Sequence, residues 1–205
     1  MGQINSACGK KIEAAAKIPK MTGFKFKLKS NKYCKCSTHD VVHTIFLSGA
    51  NALVDTQKMK KLNGFDKLYS PYYFEDQDLS IRALRMGWEI FYEEQAICFH
   101  LGSHTIKSHA KKNLIKEIYF RNRMIFHALH LNQKDIKLWK LQLLLLEVIP
   151  KYLIGDRWIL NSYRYFLKLQ KDILTSRQKL NHLLDEQKNN KSLSDLEREF
   201  KLRFS

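Results

Sequence analysis

The hydrophobic rhythm of the chain changes near residue 107. Before that point apolar residues come in short alternating or clustered runs, and after it they recur with helical spacing. Phe24, Phe26 and Leu28 alternate with Lys25, Lys27 and Lys29, which is the period of an edge strand. Residues 12–18 are Ala-rich and predict a turn or two of helix stopped by Pro19. Residues 44–48 predict a short strand ending at Gly49-Ala50, where a glycine lets backbone come close to a ligand or another element. Residues 56–62 predict a helix closed by Asn63-Gly64, with Phe65 anchoring the turn in the core. A helix is expected over 79–86, N-capped by Asp76 or Asp78 and ended by Gly87, with Arg82 and Arg85 pointing away from its apolar side. Trp88, Ile90 and Tyr92 alternate with Glu89, Phe91 and Glu93 and predict a strand. Residues 96–99 predict a second extended piece that delivers His100 to its end.

Beyond residue 107 the pattern is helical. Leu114, Ile118, Ile125 and Leu129 fall near one helical face. A second helix is expected over 135–149, stopped by Pro150. A third begins at Gly155-Asp156 and carries Trp158, Ile159, Tyr163, Phe166, Leu167, Ile173 and Leu174. Ser194 with Glu197 predicts a capping box for a last helix holding Leu196 and Phe200. The pattern divides the chain into 1–106, an α/β region, and 107–205, a helical, basic region.

Composition narrows the classes. Hydrophobic residues make up 44% of the 205, enough for a buried core and against wholesale disorder. The 36 Lys+Arg against 20 Asp+Glu give a net charge of +16, which favours an anionic partner: nucleic acid, a membrane surface or a phosphorylated substrate. Four cysteines in this length do not form a secreted disulfide framework, and a reducing compartment is the simpler expectation. No apolar leader follows a basic start. Cys34, Cys36, His39 and His43 are metal-ligand types crowded on one short segment. Zinc sites place ligand pairs on separate arms, so a loop is the expected reading.

The chemistry concentrates at Glu75-Asp76. Adjacent carboxylates at a helix start stabilise the helix by about 1 kcal/mol through capping and dipole effects alone. This pair differs in its setting. Tyr69, Pro71, Tyr72, Tyr73 and Phe74 crowd it and suggest a semi-dry pocket, where a carboxylate can take a proton from a sugar hydroxyl. Asp76-Gln77-Asp78 also spells a D-x-D metal pattern, set aside because Asp78 serves better as a helix cap. His100 ends an extended segment and opens a polar loop through Gly102, Ser103, His104 and Thr105, suited to a metal or phosphate.

In order, these residues read GAN (49–51), NGFD (63–66), FEDQDLSIRALRMGW (74–88) and FHLGS (99–103). Over about residues 45–126 they resemble the C-terminal half of a family 2 glycosyltransferase of the bacterial rhamnosyltransferase-like kind. The family pattern is a small-residue "sGa" turn, a "GGFDE" turn, a "yEDvDLslRlrraGw" segment and an "H-x-g-S" loop. Asn63 stands for its first Gly and Lys67 for the acidic residue after Phe-Asp. The resemblance implies an α/β fold, a partial GT-A-like domain over 1–106 followed by the helical tail. It implies a nucleotide-sugar donor, a saccharide or lipid-linked acceptor, and a divalent cation, Mg2+ or Mn2+. The implied activity is inverting hexosyl or rhamnosyl transfer in cell-surface polysaccharide synthesis, in the cytoplasm at the inner face of the plasma membrane.

Carried over by position, Asp76 is the catalytic base, Glu75 shapes the acceptor site, and His100 is a metal ligand. Gly49, Ala50 and Asn51 line the donor-sugar and acceptor region. Arg121-Asn122-Arg123 matches an "RN" segment without an assigned role. Residues 1–44 hold no D-x-D to carry the cation of the family's N-terminal nucleotide-binding half. The expectation is therefore a fragment or truncated reading frame of a longer transferase.

The helical tail carries Lys134, Lys137, Lys140, Lys151, Arg157, Arg164, Lys168 and Lys171 among Trp139, Trp158 and many leucines. That mixture suits an anionic bilayer surface as well as a solvated appendage, and lipid-linked acceptors favour the bilayer. The alternative to a transferase is a non-catalytic basic protein binding a membrane or nucleic acid. Nucleic acid is not expected, because no zinc-finger spacing, RNP-like strand or recognition-helix pattern is present.

Overall fold

The computed structural model describes residues 1–6, 8–30, 42–100 and 111–203. Cys34, Cys36 and His39, and the polar loop at 102–105, lie outside the described residues. The fold is mixed α/β, with a curled mixed sheet. In the sheet, β1 (Gly2–Ser6) sits between β2 (Ile12–Ala14), antiparallel, and β6 (Phe91–His100), parallel. A short β5 (Val42–His43) pairs antiparallel with the start of β6. The two extended pieces expected around 88–99 are one strand, broken only by a register slip: Gly2 faces Glu93 and Gln3 faces Ile97.

A separate hairpin joins β3 (Lys17–Thr22) to β4 (Lys25–Ser30). The alternation at 24–29 is thus a strand, with Phe26 buried. The helix expected over 12–18 is not formed. Those residues pair as β2 and β3, and Pro19 stands opposite Leu28 in a two-stranded sheet, where a missing N–H is tolerated. Strand pairing here overrides the helix propensity of Ala, which is a weak prior. Residues 44–48 are not a ladder strand either. They run extended and are stitched one bond at a time: Thr44 N–H to the Ile90 carbonyl at 2.9 Å, Ile45 N–H to the Lys17 carbonyl at 2.9 Å, and Leu47 N–H to Ser80 Oγ at 2.8 Å.

Helix α1 (Thr56–Lys61) forms as expected, capped by Asp55, and Asn63 and Gly64 follow with φ of 58° and 65°. Phe65 does not anchor the turn, because its side chain is exposed. Arg82 holds it instead, donating to the carbonyls of Leu62 and Gly64 at 2.7 Å each. Helix α2 (Glu75–Arg85) starts four residues earlier than expected, and neither Asp76 nor Asp78 caps it. Asp78 lies one turn in and is fully buried, and Arg82 and Arg85 are buried with it rather than directed elsewhere.

Six further α-helices follow among the described residues. Helix α3 (Lys112–His130) buries Ile118, Ile125 and Leu129 but leaves Leu114 exposed. Helix α4 (Gln133–Leu143) is not stopped by Pro150. It runs through a π turn (Leu144–Val148) into α5 (Ile149–Leu153), with Pro150 in the first turn of α5. The wider turn accommodates the ring and the missing N–H. The third expected helix is two, α6 (Trp158–Lys168) and α7 (Gln170–Glu186), broken at Leu169. Before α8 (Leu193–Arg203) the capping box is Ser192 with Asp195, not Ser194 with Glu197. The Asp195 N–H donates to Ser192 Oγ at 3.1 Å, and the Ser192 N–H to Asp195 Oδ2 at 2.9 Å. Glu197 instead accepts from Met21 N–H at 3.0 Å and ties α8 to β3.

One core joins Phe26, Ile45, Tyr69, Phe74 and Ile81 to Met124, Phe126, Trp139, Phe166 and Leu196, so the regions before and after residue 107 share it. Trp139 and Trp158 are buried and are not interfacial anchors. Asp78 sits among these elements. Tyr69 OH donates to it at 3.1 Å, Arg82 Nε at 2.7 Å and His130 Nε2 at 2.8 Å. Burial pushes its carboxyl pKa up, but the Arg82 charge and the His130 hydrogen bond outweigh that and hold it below the ordinary value. We expect Asp78→Ala to lower the unfolding free energy by about 3–5 kcal/mol, read from urea transitions, since it leaves buried donors from three segments without their acceptor.

His127 gives the fold a pH dependence. Its Nε2 accepts the Phe26 N–H at 3.0 Å, its Nδ1 donates to the Arg123 carbonyl at 2.7 Å, and its ring stacks on Trp139 at 5.5 Å. Burial pushes its pKa down to about 4. A histidine depressed in the folded state contributes stability that is full above about pH 6.5 and lost as pH falls towards its folded pKa. Urea transitions of wild type and His127→Gln should therefore converge between those limits, by on the order of 3 kcal/mol.

Candidate functional site

Glu75 and Asp76 owe their position to a backbone the sequence does not announce. Tyr73 and Phe74 both have φ of 74°, left-handed values that cost non-glycine residues on the order of 1–3 kcal/mol each. What holds them is Asn122 of α3. Its amide nitrogen lies 2.7, 2.9 and 2.8 Å from the carbonyls of Tyr69, Tyr72 and Tyr73. Arg121 hydrogen-bonds the Ser70 carbonyl and donates to Asn122 Oδ1 at 2.9 Å, which fixes the amide. The RN segment thus cages the turn that launches α2.

Ser80 adds the second fixture. Its hydroxyl donates to the Asp76 carbonyl at 2.6 Å and accepts the Leu47 N–H at 2.8 Å. This clamps the 44–50 segment onto the first turn of α2 and brings the Gly49 amide to the Asp76 carboxylate, where it favours the charged form. Asp76 Oδ1 also accepts the Gln77 N–H at 2.8 Å. Of the sequence candidates, Asp76, Glu75 and Gly49 are therefore brought together.

Asp76 opens on a pocket of about 520 Å³. Phe46, Tyr73, Phe74 and Tyr119 supply its aromatic wall, so of the residues expected to crowd the pair only Tyr73 and Phe74 line the pocket. Lys17, Lys25, Lys27 and Arg123 supply its cationic wall. Glu147 offsets two of these, meeting Lys25 Nζ at 2.8 Å and pairing with Arg123. Burial raises the pKa of Asp76, opposed by the Gln77 amide and the Lys17 charge. Burial also raises Glu75, helped by the Asp76 charge, and Glu75 Oε2 is buried without a hydrogen-bond partner among the described residues. Asp76, with raised proton affinity and a place on the pocket wall, can accept the proton of a bound hydroxyl, whereas Glu75 is not among the residues lining the pocket.

The other candidates lie elsewhere. Asn51 clasps the sheet, its Nδ2 donating to the Gln3 carbonyl at 3.1 Å and the Ala96 carbonyl at 2.8 Å. The Ala50 carbonyl meets Cys98 Sγ at 3.9 Å. His100 ends β6 opposite Ser6, with Nδ1 3.4 Å from Glu13 Oε2, and is not among the residues lining the Asp76 pocket. His100 and Glu13 offer one nitrogen and one carboxylate. Among the described residues no third His, Cys, Asp or Glu joins them, so these residues do not by themselves make a cation site.

Sequence reasoning missed Lys17, Tyr119 and Glu147, and left Arg121-Asn122-Arg123 without a role. Lys25 and Lys27 read as the wet side of an edge strand, yet both line the pocket. The chain matches no family model and no curated protein sequence.

The Lys17 charge lowers the proton affinity of Asp76, so Lys17→Met should move the Asp76 titration to higher pH in carboxyl-carbon NMR. An unmoved midpoint would mean that the two groups are not electrostatically coupled.

Proposed function

We propose that the chain is the acceptor-side part of a sugar transferase with a GT-A-like fold, using a nucleotide-sugar donor and a saccharide or lipid-linked acceptor. The observation that carries this reading is the placement of Asp76. It stands at a helix start, under the Gly49 amide, on a pocket with one aromatic and one cationic wall. Sugar rings pack on aromatic faces, and lysines and arginines suit phosphate-bearing substrates. The ordered GAN, NGFD, FEDQDL and FHLGS segments support the same reading.

In the proposed reaction Asp76 takes the proton of an acceptor hydroxyl as that oxygen attacks the anomeric carbon. The bond from that carbon to the donor phosphate breaks, and the nucleoside diphosphate leaves with inversion. Glu75, carried over from the resemblance as shaping the acceptor site, stands beside Asp76 at the start of the same helix. Burial keeps Asp76 more basic than an ordinary aspartate, which suits proton abstraction, and the Lys17 charge opposes that rise. A divalent cation would neutralise the leaving diphosphate.

The test is sugar transfer by the chain, with and without any in-frame upstream coding sequence, set against Asp76→Asn. Transfer should fall by about 10²–10⁴-fold with the circular dichroism unchanged. Full activity in Asp76→Asn would remove Asp76 as the base. Amide NMR shifts on adding acceptor saccharides give a second readout, independent of turnover. Resonances around Glu75, Asp76 and Tyr119 should move, and no shift with any donor or acceptor would sink the transferase reading.

A further inference from the structure

Helix α4, the π turn and α5 form one rod over residues 133–153, about 30 Å long. One side belongs to the core, where Trp139, Leu143 and Val148 are each 3% exposed. The other side is bare. Leu138, Leu141, Leu145, Leu146, Ile149 and Leu153 all face solvent, Leu146 at 69% and Leu153 at 75%. Ile154, at 78%, extends the strip past the end of α5. At helical spacing these residues fall on a single face, and the π turn carries that face past Pro150 without a break.

The charges around the strip have one sign. Lys134, Lys137 and Arg157 are exposed, Lys140 is half-buried, and none of the four joins an ion pair among the described residues. Neither carboxylate of the rod is exposed. Asp135 is half-buried in the first turn of α4, and Glu147 points inward to Lys25 and Arg123. The rod does not cross a membrane, because no helix among the described residues is long and apolar enough.

We propose that this strip docks flat on an anionic lipid bilayer. An aliphatic face with unpaired lysines at its rim is the composition of a helix lying in the headgroup region, the leucines in the acyl boundary and the cations among anionic headgroups. Two alternatives fit less well. Protein–protein interfaces are depleted in lysine and enriched in aromatics, whereas this face is rimmed by lysines and exposes one aromatic, Tyr152, among its aliphatic residues. A symmetric second copy would bring the lysine rims of both chains together with no carboxylate between them. The proposal stands on the rod alone and does not depend on the transferase reading.

The test is co-sedimentation of the full chain with phosphatidylcholine vesicles, with and without phosphatidylglycerol. A chain of net charge +16 adsorbs to anionic surfaces by charge alone, so the deciding variant leaves the lysines in place. Leu146→Glu/Leu153→Glu alters two exposed side chains, and circular dichroism checks that the fold is kept. We expect binding to phosphatidylglycerol vesicles at about 0.15 M salt, weaker binding to phosphatidylcholine alone, and at least a roughly tenfold loss in the double variant. Leu146→Ala/Leu153→Ala, which adds no charge, should lose less but in the same direction. Undiminished binding by the glutamate variant would show charge adsorption alone and overturn the proposal. No vesicle binding by wild type would overturn it too, as would a dimer that the glutamate variant dissolves without any vesicle binding.

Discussion

A single buried carboxylate, Asp78, holds the molecule's separate elements in register. Its two oxygens take donors from the 3-10 turn at Tyr69, from α2 through Arg82 and from the end of α3 through His130. A lone carboxylate at that depth would be protonated or would unfold its surroundings. The cationic groups around it are satisfied in turn. Arg82 reaches the carbonyls that end α1, Arg85 Nε the Lys191 carbonyl at 2.7 Å, and Arg177 the Ala128 and Leu131 carbonyls at 2.7 Å each. Burial, and then the Arg177 charge, push the Arg85 pKa down to about 10, still far above neutral pH, so it remains a cation. Neutral His130 completes the logic. Burial keeps its pKa low, its Nε2–H faces Asp78, and its Nδ1 is left to accept from Arg85 at 3.5 Å.

The same helix that closes this network also builds the pocket. From α3, Asn122 holds the left-handed turn ahead of Glu75, Arg123 joins the cationic wall, His127 secures β4, and His130 meets Asp78. The helices beyond residue 107 are therefore not an appendage to the site, because without Asn122 the strained turn at Tyr73 and Phe74 would lose the amide that binds three of its carbonyls. Such strain persists only where surrounding structure over-determines it, and here it launches the helix that sets Asp76 on the pocket wall.

Element types were legible where local pattern and tertiary demand agree: β4, α1, the strand after Gly87, and the helical run after 107. They were not legible where the two conflict. The Ala-rich 12–18 segment has helix propensity but serves as sheet, and Pro150 breaks no helix because a π turn precedes it. Phe65 looks like an anchor, but the anchoring is polar and comes from Arg82, distant in sequence. The Glu75-Asp76 pair could be singled out from its aromatic neighbours alone. Lys17, Asn122 and Glu147 could not, since each reaches the site across a long separation in the chain and no spacing rule encodes that.

The contrast between Asp78 and its neighbours two and three residues back carries a functional argument. All three carboxyls lie in the first turns of one helix, where the dipole favours their charged forms equally. Asp78 has every oxygen matched to a donor, and its proton affinity falls below the ordinary value. Asp76 and Glu75 are desolvated as well, but are matched only in part, and theirs rises. The chain can satisfy a buried carboxylate when stability requires it, as Asp78 shows. The buried Glu75 oxygen left without a donor among the described residues is a local cost that the fold does not relieve, although it cages the turn just ahead of Glu75 with side chains from a distant helix. Incomplete matching of Asp76 on the pocket wall, beside complete matching of Asp78 in the core, is the pattern of a carboxylate kept open for a hydroxyl that arrives from solution.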